Sequence, residues 1–211
     1  MAGQEARAEK WRRHWDKQAP SYDRVMGVFD RVLFGDSREW VCSRASGDVL
    51  EVAVGTGLNL PLYSRDVALS GIEWSPGMLS RAQRRVRELD RHVSLLEGDA
   101  RSLPFSDSSF DSVVCTFSLC AIPDEPRAVA EMVRVLRPGG RLLLADHVTS
   151  TSRPVRAVQG LAERITVPTG GEHFVHRPLD EVRSAGLDVE DAERFKLGIV
   201  ERLVARKPTG R

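Results

Sequence analysis

The stretch Val49-Leu-Glu-Val-Ala-Val-Gly-Thr-Gly-Leu-Asn-Leu60 joins an apolar run, two closely spaced glycines and an expected helix start. Its β-branched and aliphatic residues are typical of a parallel strand that is covered on both faces. Gly55 and Gly57 let the chain reverse and let backbone N–H groups approach a ligand closely. Glu51 interrupts the apolar run, and a carboxylate there needs hydrogen bonds or the mouth of a site. The stretch therefore predicts a buried strand that leads into a ligand-binding turn.

The size and charge of the chain limit what it can be. With 211 residues, of which 41% are hydrophobic, it can form one well-cored domain. We expect that domain over residues 36–211, preceded by a helical extension or lid over residues 1–35. The 31 Lys and Arg residues nearly balance 30 Asp and Glu residues, for a formal charge of +1. This balance argues against nucleic acid as a partner.

Cysteine usage and hydropathy bear on the compartment. Cys42, Cys115 and Cys120 form neither an even set nor a C-x-x-C pair, and two of them lie in apolar, strand-like sequence. They are typical of reduced, buried thiols, so we expect a cytoplasmic protein without a disulfide framework. The sequence has no apolar run long enough for a transmembrane helix and no pattern typical of a signal peptide.

The first 35 residues have an amphipathic pattern unlike the rest of the chain. Ala8, Trp11, Trp15 and Ala19 recur at helical spacing, with basic residues on the other faces, and predict a helix. The segment 19–23 contains a proline and predicts a break before a second helix. Two interpretations stay open for the tryptophans. They pack onto the domain as a lid, or they belong to a basic aromatic helix that lies at a membrane interface.

Strand-like and helix-like segments alternate through the remainder of the chain. This alternation predicts a doubly wound, mostly parallel, seven-stranded sheet, and two adjacent final strands predict an antiparallel edge. Residues 150–180 are the least regular part and are expected to form loops over a substrate. The expected strands after the opening stretch are 67–74, 92–96, 110–117, 141–146, 187–195 and 198–206, and the expected helices are 76–89 and 125–136.

Two acids end neighbouring strands, where α/β proteins bind their ligands. Glu73 can accept hydrogen bonds from both ribose hydroxyls, and Asp99 can accept one from an adenine amino group. A dinucleotide site would have a third glycine in the turn, but Leu60 occupies that position. The turn therefore favours a nucleoside with an amino-acid tail, which is S-adenosylmethionine, over a dinucleotide.

Five motifs carry a family resemblance that covers roughly residues 20–150. On them the chain resembles the class I S-adenosylmethionine-dependent methyltransferases, in the small-molecule branch around the ubiquinone and menaquinone C-methyltransferases. Ala53 replaces the first glycine of that family's E-x-G-x-G-x-G turn. The motifs are Glu51-Val-Ala-Val-Gly-Thr-Gly57, Gly98-Asp-Ala100, Leu103-Pro-Phe105, Phe110-Asp-Ser-Val-Val114 and Val135-Leu-Arg-Pro-Gly-Gly140.

The resemblance implies a Rossmann-like fold, S-adenosylmethionine as cofactor and S-adenosylhomocysteine as its product. It assigns the glycine turn to the methionine part, Glu73 to the ribose, and Trp74 and Met78 to the adenine face. Tyr22 resembles the lid position that closes over the cofactor. The implied cofactor-binding set is Tyr22, Glu51, Ala53, Gly55, Gly57, Asn59, Glu73, Trp74, Met78, Asp99, Ala100, Thr116 and Phe117.

The methyl acceptor is open among small, apolar molecules. Val54 to Pro61 is similar to bacterial phospholipid N-methyltransferases, whereas Val114 to Cys120 and Ala145-Asp-His147 are similar to alkyl-thiol methyltransferases. A quinone or phenol, a thiol and a phospholipid amine therefore remain candidates. A non-catalytic protein that binds the cofactor or its product is the alternative, and a nicotinamide-dependent oxidoreductase is less favoured because of Leu60.

A general base would assist an acidic acceptor, and histidine suits that role near neutral pH. His147, which ends the fifth strand, is the first candidate catalytic residue. His173 and His176 lie in the irregular stretch and are weaker candidates. No metal site is expected, because this pair lacks the carboxylates and the context of one.

Overall fold

The computed structural model describes residues 2–210 and is built on a seven-stranded sheet with the order β3-β2-β1-β4-β5-β7-β6. The first five strands pair in parallel, while β7 is antiparallel to both β5 and β6. The predicted doubly wound sheet with an antiparallel edge is confirmed. The strands are β1 (Asp48–Val52), β2 (Ala68–Glu73), β3 (Val93–Glu97), β4 (Phe110–Thr116), β5 (Leu136–His147), β6 (Asp188–Phe195) and β7 (Val200–Arg206).

Helices cover both faces of the sheet. Among residues 2–210, no helix combines the length and the apolar character that crossing a bilayer requires. The helices are α1 (Ala2–Phe29), a π-helical turn (Asp30–Phe34), α2 (Ser37–Cys42), α3 (Pro76–Glu88), α4 (Glu125–Val135), α5 (Arg153–Gly170) and α6 (Pro178–Ser184), with short 3-10 turns at Leu60–Leu62 and Leu119–Ala121.

Successive side chains of the central strands pack into two apolar layers, one on each face of the sheet. Leu142 and Leu144 of β5 pack into the layer under α4 and α6, whereas Leu143 packs into the layer under α2 and α3. Successive strand side chains point to opposite faces, so a strand covered on both sides is apolar throughout. Burial of each leucine contributes roughly 1.5–3 kcal/mol. These layers fix the positions of the strand ends that form the site.

Helix α1 runs without interruption through Pro20, so the predicted break over residues 19–23 is wrong. Proline has no N–H to donate to the Asp16 carbonyl one turn earlier. That carbonyl lies against Gly77, where a Cβ would be 3.2 Å away. Contacts with the domain on both sides of Pro20 favour a continuous helix, which is a tertiary effect that sequence periodicity does not contain.

Two carboxylates attach α1 to the domain. Asp16 Oδ1 accepts hydrogen bonds from the Ser75 hydroxyl (2.5 Å) and the Gly77 N–H (2.9 Å) at the start of α3. Asp23 accepts from the Thr56 hydroxyl (2.5 Å) and from Arg85 (2.6 Å). The two attachments flank Pro20 and hold α1 across the carboxyl edge of the sheet.

Both N-terminal tryptophans contact the domain. Trp11 is buried and its ring lies against Gly171, where a Cβ would be only 2.5 Å away. The Trp15 indole N–H donates to the Gly170 carbonyl at 3.1 Å. The rings on which the membrane-interface interpretation rested are therefore engaged with the domain, as the lid interpretation requires.

The region expected to be irregular contains an 18-residue helix, α5, so that prediction is wrong. Pro154 occupies the first turn of α5, where its missing N–H is not needed, and Gly171 ends the helix in a left-handed conformation. Pro168 lies within the last turn. The scattered prolines and glycines therefore mark the two ends of α5 instead of loops.

The fifth strand is longer than expected and begins at Leu136, directly after α4. Arg137 to Gly140, which follow the expected helix 125–136, form a bulged start of this strand, with a register shift opposite Phe110 to Ser112. Gly140 allows this path, because a Cβ there would lie 3.0 Å from the Asp111 carbonyl. The glycines serve strand packing as well as helix termination.

Replacing the Asp16 carboxylate tests how α1 is attached. Asp16→Ala removes the acceptor for two donors, and we expect a loss of about 1–3 kcal/mol in the free energy of unfolding. Asp16→Asn keeps one oxygen acceptor and should lose less. Chemical denaturation measures the loss, and hydrogen exchange should show faster exchange in α1. Equal stability of the Ala variant and the parent would contradict this attachment.

Candidate active site

A cavity opens at the carboxyl ends of the central strands, with Trp15 and Tyr22 of α1 on one side. This is where open α/β sheets bind ligands. Its other lining residues include Ile72, Gly98, Ser118 and the segment 121–123. The implied cofactor-binding residues that line it are Tyr22, Ala53, Gly55, Glu73, Trp74, Met78, Asp99, Ala100 and Phe117.

Gly55 and Gly57 both have left-handed backbones, with φ of 60° and 82°, but their surroundings differ. A Cβ on Gly55 would approach only the Tyr22 ring, at 4.0 Å, so this glycine leaves open space. A Cβ on Gly57 would lie 2.7 Å from Leu60 and 3.3 Å from the Ala82 backbone. Gly57 therefore allows the turn to pack on α3, while Gly55 provides the room that a ligand needs.

The prediction that a helix starts after the glycine turn is wrong, because the chain forms only the 3-10 turn Leu60–Leu62 there. The Leu62 N–H donates to the Asn59 carbonyl at 2.8 Å, which is 3-10 bonding. Tyr63 then takes an extended backbone and is buried in the core. Packing of Tyr63 thus ends the turn before a helix can extend.

Two non-glycine residues that line the cavity have left-handed backbones. Ala53 has a φ of 56° and Phe117 a φ of 50°. Such conformations cost on the order of 1–3 kcal/mol for residues with a Cβ, and they cluster at functional sites. Ala53 occupies the position that a glycine holds in the turn of the family that this chain resembles. The left-handed backbone at this position explains why the family has a glycine there.

Glu73 joins the ends of β1 and β2 and is buried. Its Oε2 accepts from the Gly55 N–H and its Oε1 from the Ser75 N–H, both at 2.8 Å. Burial raises the pKa of this carboxyl, and the backbone N–H groups partly offset the effect. Each oxygen can accept a second hydrogen bond. Glu73 is therefore both a structural link and an acceptor at the cavity wall.

Asp99 lines the cavity but is paired with Arg101. Arg101 donates from its backbone N–H, its Nε and its Nη2 to the two carboxylate oxygens, at 2.6–3.0 Å. Burial would raise the pKa of Asp99, but the Arg101 hydrogen bonds lower it overall. The guanidinium also lies over the Trp74 ring, 5.8 Å from its centroid. Arg101 holds Asp99 ionised and fixes its orientation.

Four implied cofactor-binding residues lie outside the cavity lining. Glu51, Asn59 and Thr116 are buried below the turn, and Gly57 packs on α3. Asn59 Nδ2 donates to Glu51 Oε1 (2.9 Å) and to the Thr116 hydroxyl (2.8 Å). Burial raises the pKa of Glu51 to about 7. These side chains support the turn from beneath.

Arg38 completes this buried group and was not identified from the sequence. It donates to Asn59 Oδ1 (3.1 Å) and the Thr116 hydroxyl (3.2 Å), and its guanidinium lies over the Phe117 ring. Its Nη2 has no hydrogen-bond partner among the described residues. Its partners are distant along the chain, so local sequence patterns give no signal for this role.

Aromatic rings surround the far end of the cavity. Trp15 and Tyr22 meet edge to face, with centroids 6.3 Å apart. Phe117 stacks on Phe34 at 3.9 Å, and Phe34 stacks on Phe29 at 5.9 Å. Aromatic faces attract cations, including sulfonium and ammonium groups. The stack also connects the cavity wall to the protein surface at Phe29.

Buried polar groups lie behind this end of the cavity. Asp146 accepts from the His147 N–H (2.8 Å) and the Cys120 N–H (3.4 Å). One ligand atom from each of these three residues lies within 4.8 Å of the others. Burial and the Asp146 charge raise the pKa of the Glu172 carboxyl. Sequence analysis did not single out Asp146 or Glu172 as functional.

His147, the candidate base, is buried and does not line the cavity. Its Nδ1 has no hydrogen-bond partner among the described residues, and its ring packs on Phe174 with centroids 4.8 Å apart. Burial lowers the pKa of His147, so the imidazole is neutral at physiological pH and able to accept a proton.

The weaker candidates, His173 and His176, have different surroundings. His173 is exposed, whereas His176 bonds Glu125 Oε2 at 3.0 Å and the His147 carbonyl at 2.7 Å. Burial would lower the pKa of His176, but the Glu125 hydrogen bond and the Asp146 charge raise it to about 9. His176 is therefore an imidazolium near neutral pH, which makes it a cross-link and a poor base.

Comparisons with known proteins agree with the fold and the site. Residues 50–144 match a family model described as a methyltransferase domain. A demethylmenaquinone methyltransferase of Listeria welshimeri is 34% identical over 81% of this chain and 76% of its own length. A phosphatidylethanolamine N-methyltransferase of Cereibacter sphaeroides is 46% identical over 54% of this chain, but the match spans only 57% of that relative.

A solved structure has the same fold. An S-adenosylmethionine-dependent methyltransferase from Thermotoga maritima superposes with a TM-score of 0.70 and 24% identity, over 92% of this chain and 99% of that one. A demethylmenaquinone methyltransferase of Renibacterium salmoninarum is 36% identical over 68% of this chain and 61% of its own length. The match thus extends over about three fifths of two of the curated relatives.

The raised pKa of Glu51 predicts a pH-dependent stability. The Glu51 carboxyl has a pKa of about 4.5 in the unfolded chain and about 7 in the folded one. The folded state therefore binds its proton more tightly, and the free energy of unfolding falls as pH rises between these two values. Glu51→Gln lacks this loss, so its stability relative to the parent should increase by roughly 1–3 kcal/mol from about pH 5 to about pH 8. Denaturant unfolding at both pH values measures the change, with exposed Glu88→Gln as control. A difference independent of pH would disprove the raised pKa.

Proposed function

Because the chain belongs to the S-adenosylmethionine-dependent methyltransferases, we propose that it transfers the methyl group of this cofactor to an amine on an amphiphilic acceptor. The observation that carries the choice of an amine is the 46% identity to a relative named phosphatidylethanolamine N-methyltransferase. Bound S-adenosylmethionine would supply an electrophilic methyl carbon on a sulfonium.

The residues around the cavity fit this cofactor. Gly55 leaves open space where a Cβ would stand, and Glu73 has acceptor capacity suited to two ribose hydroxyls. Trp74 and Met78 provide apolar surface for an adenine ring, and Asp99 is held ionised for its amino group. We assign these residues to cofactor binding, with Glu51, Asn59 and Thr116 as supports beneath the turn.

Methyl transfer requires alignment, exclusion of water and removal of one proton. The cofactor held by the glycine turn, Glu73 and Asp99 would supply its methyl carbon to the amine lone pair and would keep the electron pair of the broken carbon–sulfur bond on its sulfur. Alignment of the reactants can contribute on the order of 7–11 kcal/mol. We propose that Tyr22 and Phe117 align the acceptor and that α1 is a lid over residues 36–211 that excludes water.

The aromatic lining of the cavity supports an ammonium acceptor. The rings of Trp15, Tyr22 and Phe117 offer cation-binding faces. An acceptor amine must lose a proton before it attacks, and neutral His147 is the candidate base. Because His147 lies behind the lining, its proton transfer would require a water or a small movement of Phe174.

A quinone or phenol is the second candidate acceptor. The demethylmenaquinone methyltransferase of Listeria welshimeri aligns over 81% of this chain, a longer match than that of the amine-methylating relative. Both candidates are lipids, so we propose that the protein contacts a membrane surface through its N-terminal helix. Trp11 and Trp15 pack on the domain, and the exposed residues Val28, Phe29 and Val32 would make that contact instead.

Binding of S-adenosylhomocysteine tests the cofactor assignment. Glu73→Gln replaces one acceptor oxygen with a donor, and we expect about 10- to 100-fold weaker binding by calorimetry. Glu97→Gln, in the neighbouring strand β3, is the matched control and should bind as the parent does. Parent protein that binds neither S-adenosylhomocysteine nor S-adenosylmethionine would overturn the proposed function.

An acceptor assay distinguishes the candidates. With labelled S-adenosylmethionine and micelles of phosphatidylethanolamine or of a demethylated naphthoquinone in its reduced quinol form, we expect label in the phospholipid. His147→Ala should lower the turnover rate roughly 10- to 1,000-fold near neutral pH, and less at high pH where the amine is already deprotonated. Label in the quinone alone would establish the second candidate. Cofactor binding without turnover on either lipid would favour a non-catalytic protein.

A further inference from the structure

Helix α5 exposes an apolar stripe that the site does not use. Val158, Leu161 and Ile165 are 66%, 61% and 71% exposed and follow one another at helical spacing along the outer face. Soluble proteins rarely leave such a contiguous patch uncovered unless it contacts a partner. Pro154, Ala157 and Pro168 extend the stripe along the whole helix.

The position of α5 relates this stripe to the cavity. Its carboxyl end packs on α1, where Trp15 donates to the Gly170 carbonyl. Its amino end follows Ser150 and Thr151, whose hydroxyls donate to the Leu197 carbonyl at the tip of the β6–β7 hairpin. Leu197 is itself 65% exposed. Helix α5 thus spans from the hairpin tip to the helix that borders the cavity.

Charge on this face favours one kind of partner. Arg153 and Arg164 are exposed on α5. The acid of this helix, Glu163, instead accepts from the Val175 N–H at 2.7 Å and is mostly shielded. The stripe thus consists of apolar residues bordered by cations, and the one acid of the helix is engaged elsewhere. Such a face is complementary to an anionic lipid surface.

We infer that the outer face of α5, together with Leu197, docks the protein on the surface of an anionic phospholipid bilayer. This inference rests on the proposed lipid acceptor and extends the membrane contact beyond the N-terminal helix. Docking here would bring the cavity rim to the headgroup layer, so an acceptor could reach the site without leaving the bilayer.

Vesicle sedimentation tests this docking without any methyl transfer. We expect the full chain to bind vesicles of phosphatidylcholine and phosphatidylglycerol, and to bind less at high salt or without the anionic lipid. Leu161→Asp/Ile165→Asp should weaken binding at least about tenfold, because it places two charges in the buried face. Leu96→Asp on the opposite sheet edge, also an exposed leucine, is the matched control and should bind as the parent does.

Activity separates this inference from the proposed function. The double variant should keep the parent rate on a water-soluble short-chain acceptor and lose activity on acceptor within vesicles. Sedimentation equal to that of the parent would overturn the docking surface, whatever the catalytic result. The docking surface would also be overturned if the parent chain bound neither the vesicles with phosphatidylglycerol nor those without it. A dimer of the parent that the double variant abolishes would overturn it as well, because the stripe would then contact a second copy of the chain.

Discussion

The hydrogen bond from the Gly55 N–H to Glu73 is the interaction on which the site depends. It joins the turn after β1 to the end of β2, and the same carboxylate accepts from Ser75 at the start of α3. A carboxylate buried without partners would destabilise the fold by several kcal/mol. The two backbone donors make its burial tolerable and fix its direction. The glycine turn, the second strand and α3 thereby become one rigid wall of the cavity.

A second polar layer lies beneath this wall and has a different character. Glu51, Asn59, Thr116 and Arg38 are linked by hydrogen bonds within the apolar layers. The Glu51 carboxyl is protonated far more easily than an exposed one because burial disfavours its charge. Such networks specify a unique arrangement of the backbone above them. The network thus stabilises the left-handed backbone at Ala53 and the open space beside Gly55.

The sheet could be predicted from the sequence because its strands are apolar, short and separated by clear turn signals. Glu73 and Asp99 could be placed at the cavity from the sequence, because each follows or ends a predicted parallel strand and the carboxyl ends of such strands border the ligand site. The course of α1 through Pro20 and the existence of α5 could not be predicted, since both depend on contacts with distant residues. Arg38 was not identified for the same reason, because its partners Asn59 and Thr116 meet it only in the folded chain.

The attachment of α1 at Asp16 and Asp23 has a consequence for residence time. In the lid role that we propose for α1, a ligand between the turn, Tyr22 and Trp15 would leave after α1 moves, and that movement would break hydrogen bonds on both sides of Pro20. Both attachments end on α3 or the glycine turn, so such an opening would expose the wall of the cavity on which they lie. In that role, the opening of α1 would set the rate of ligand exchange. Product release would limit turnover in such an arrangement.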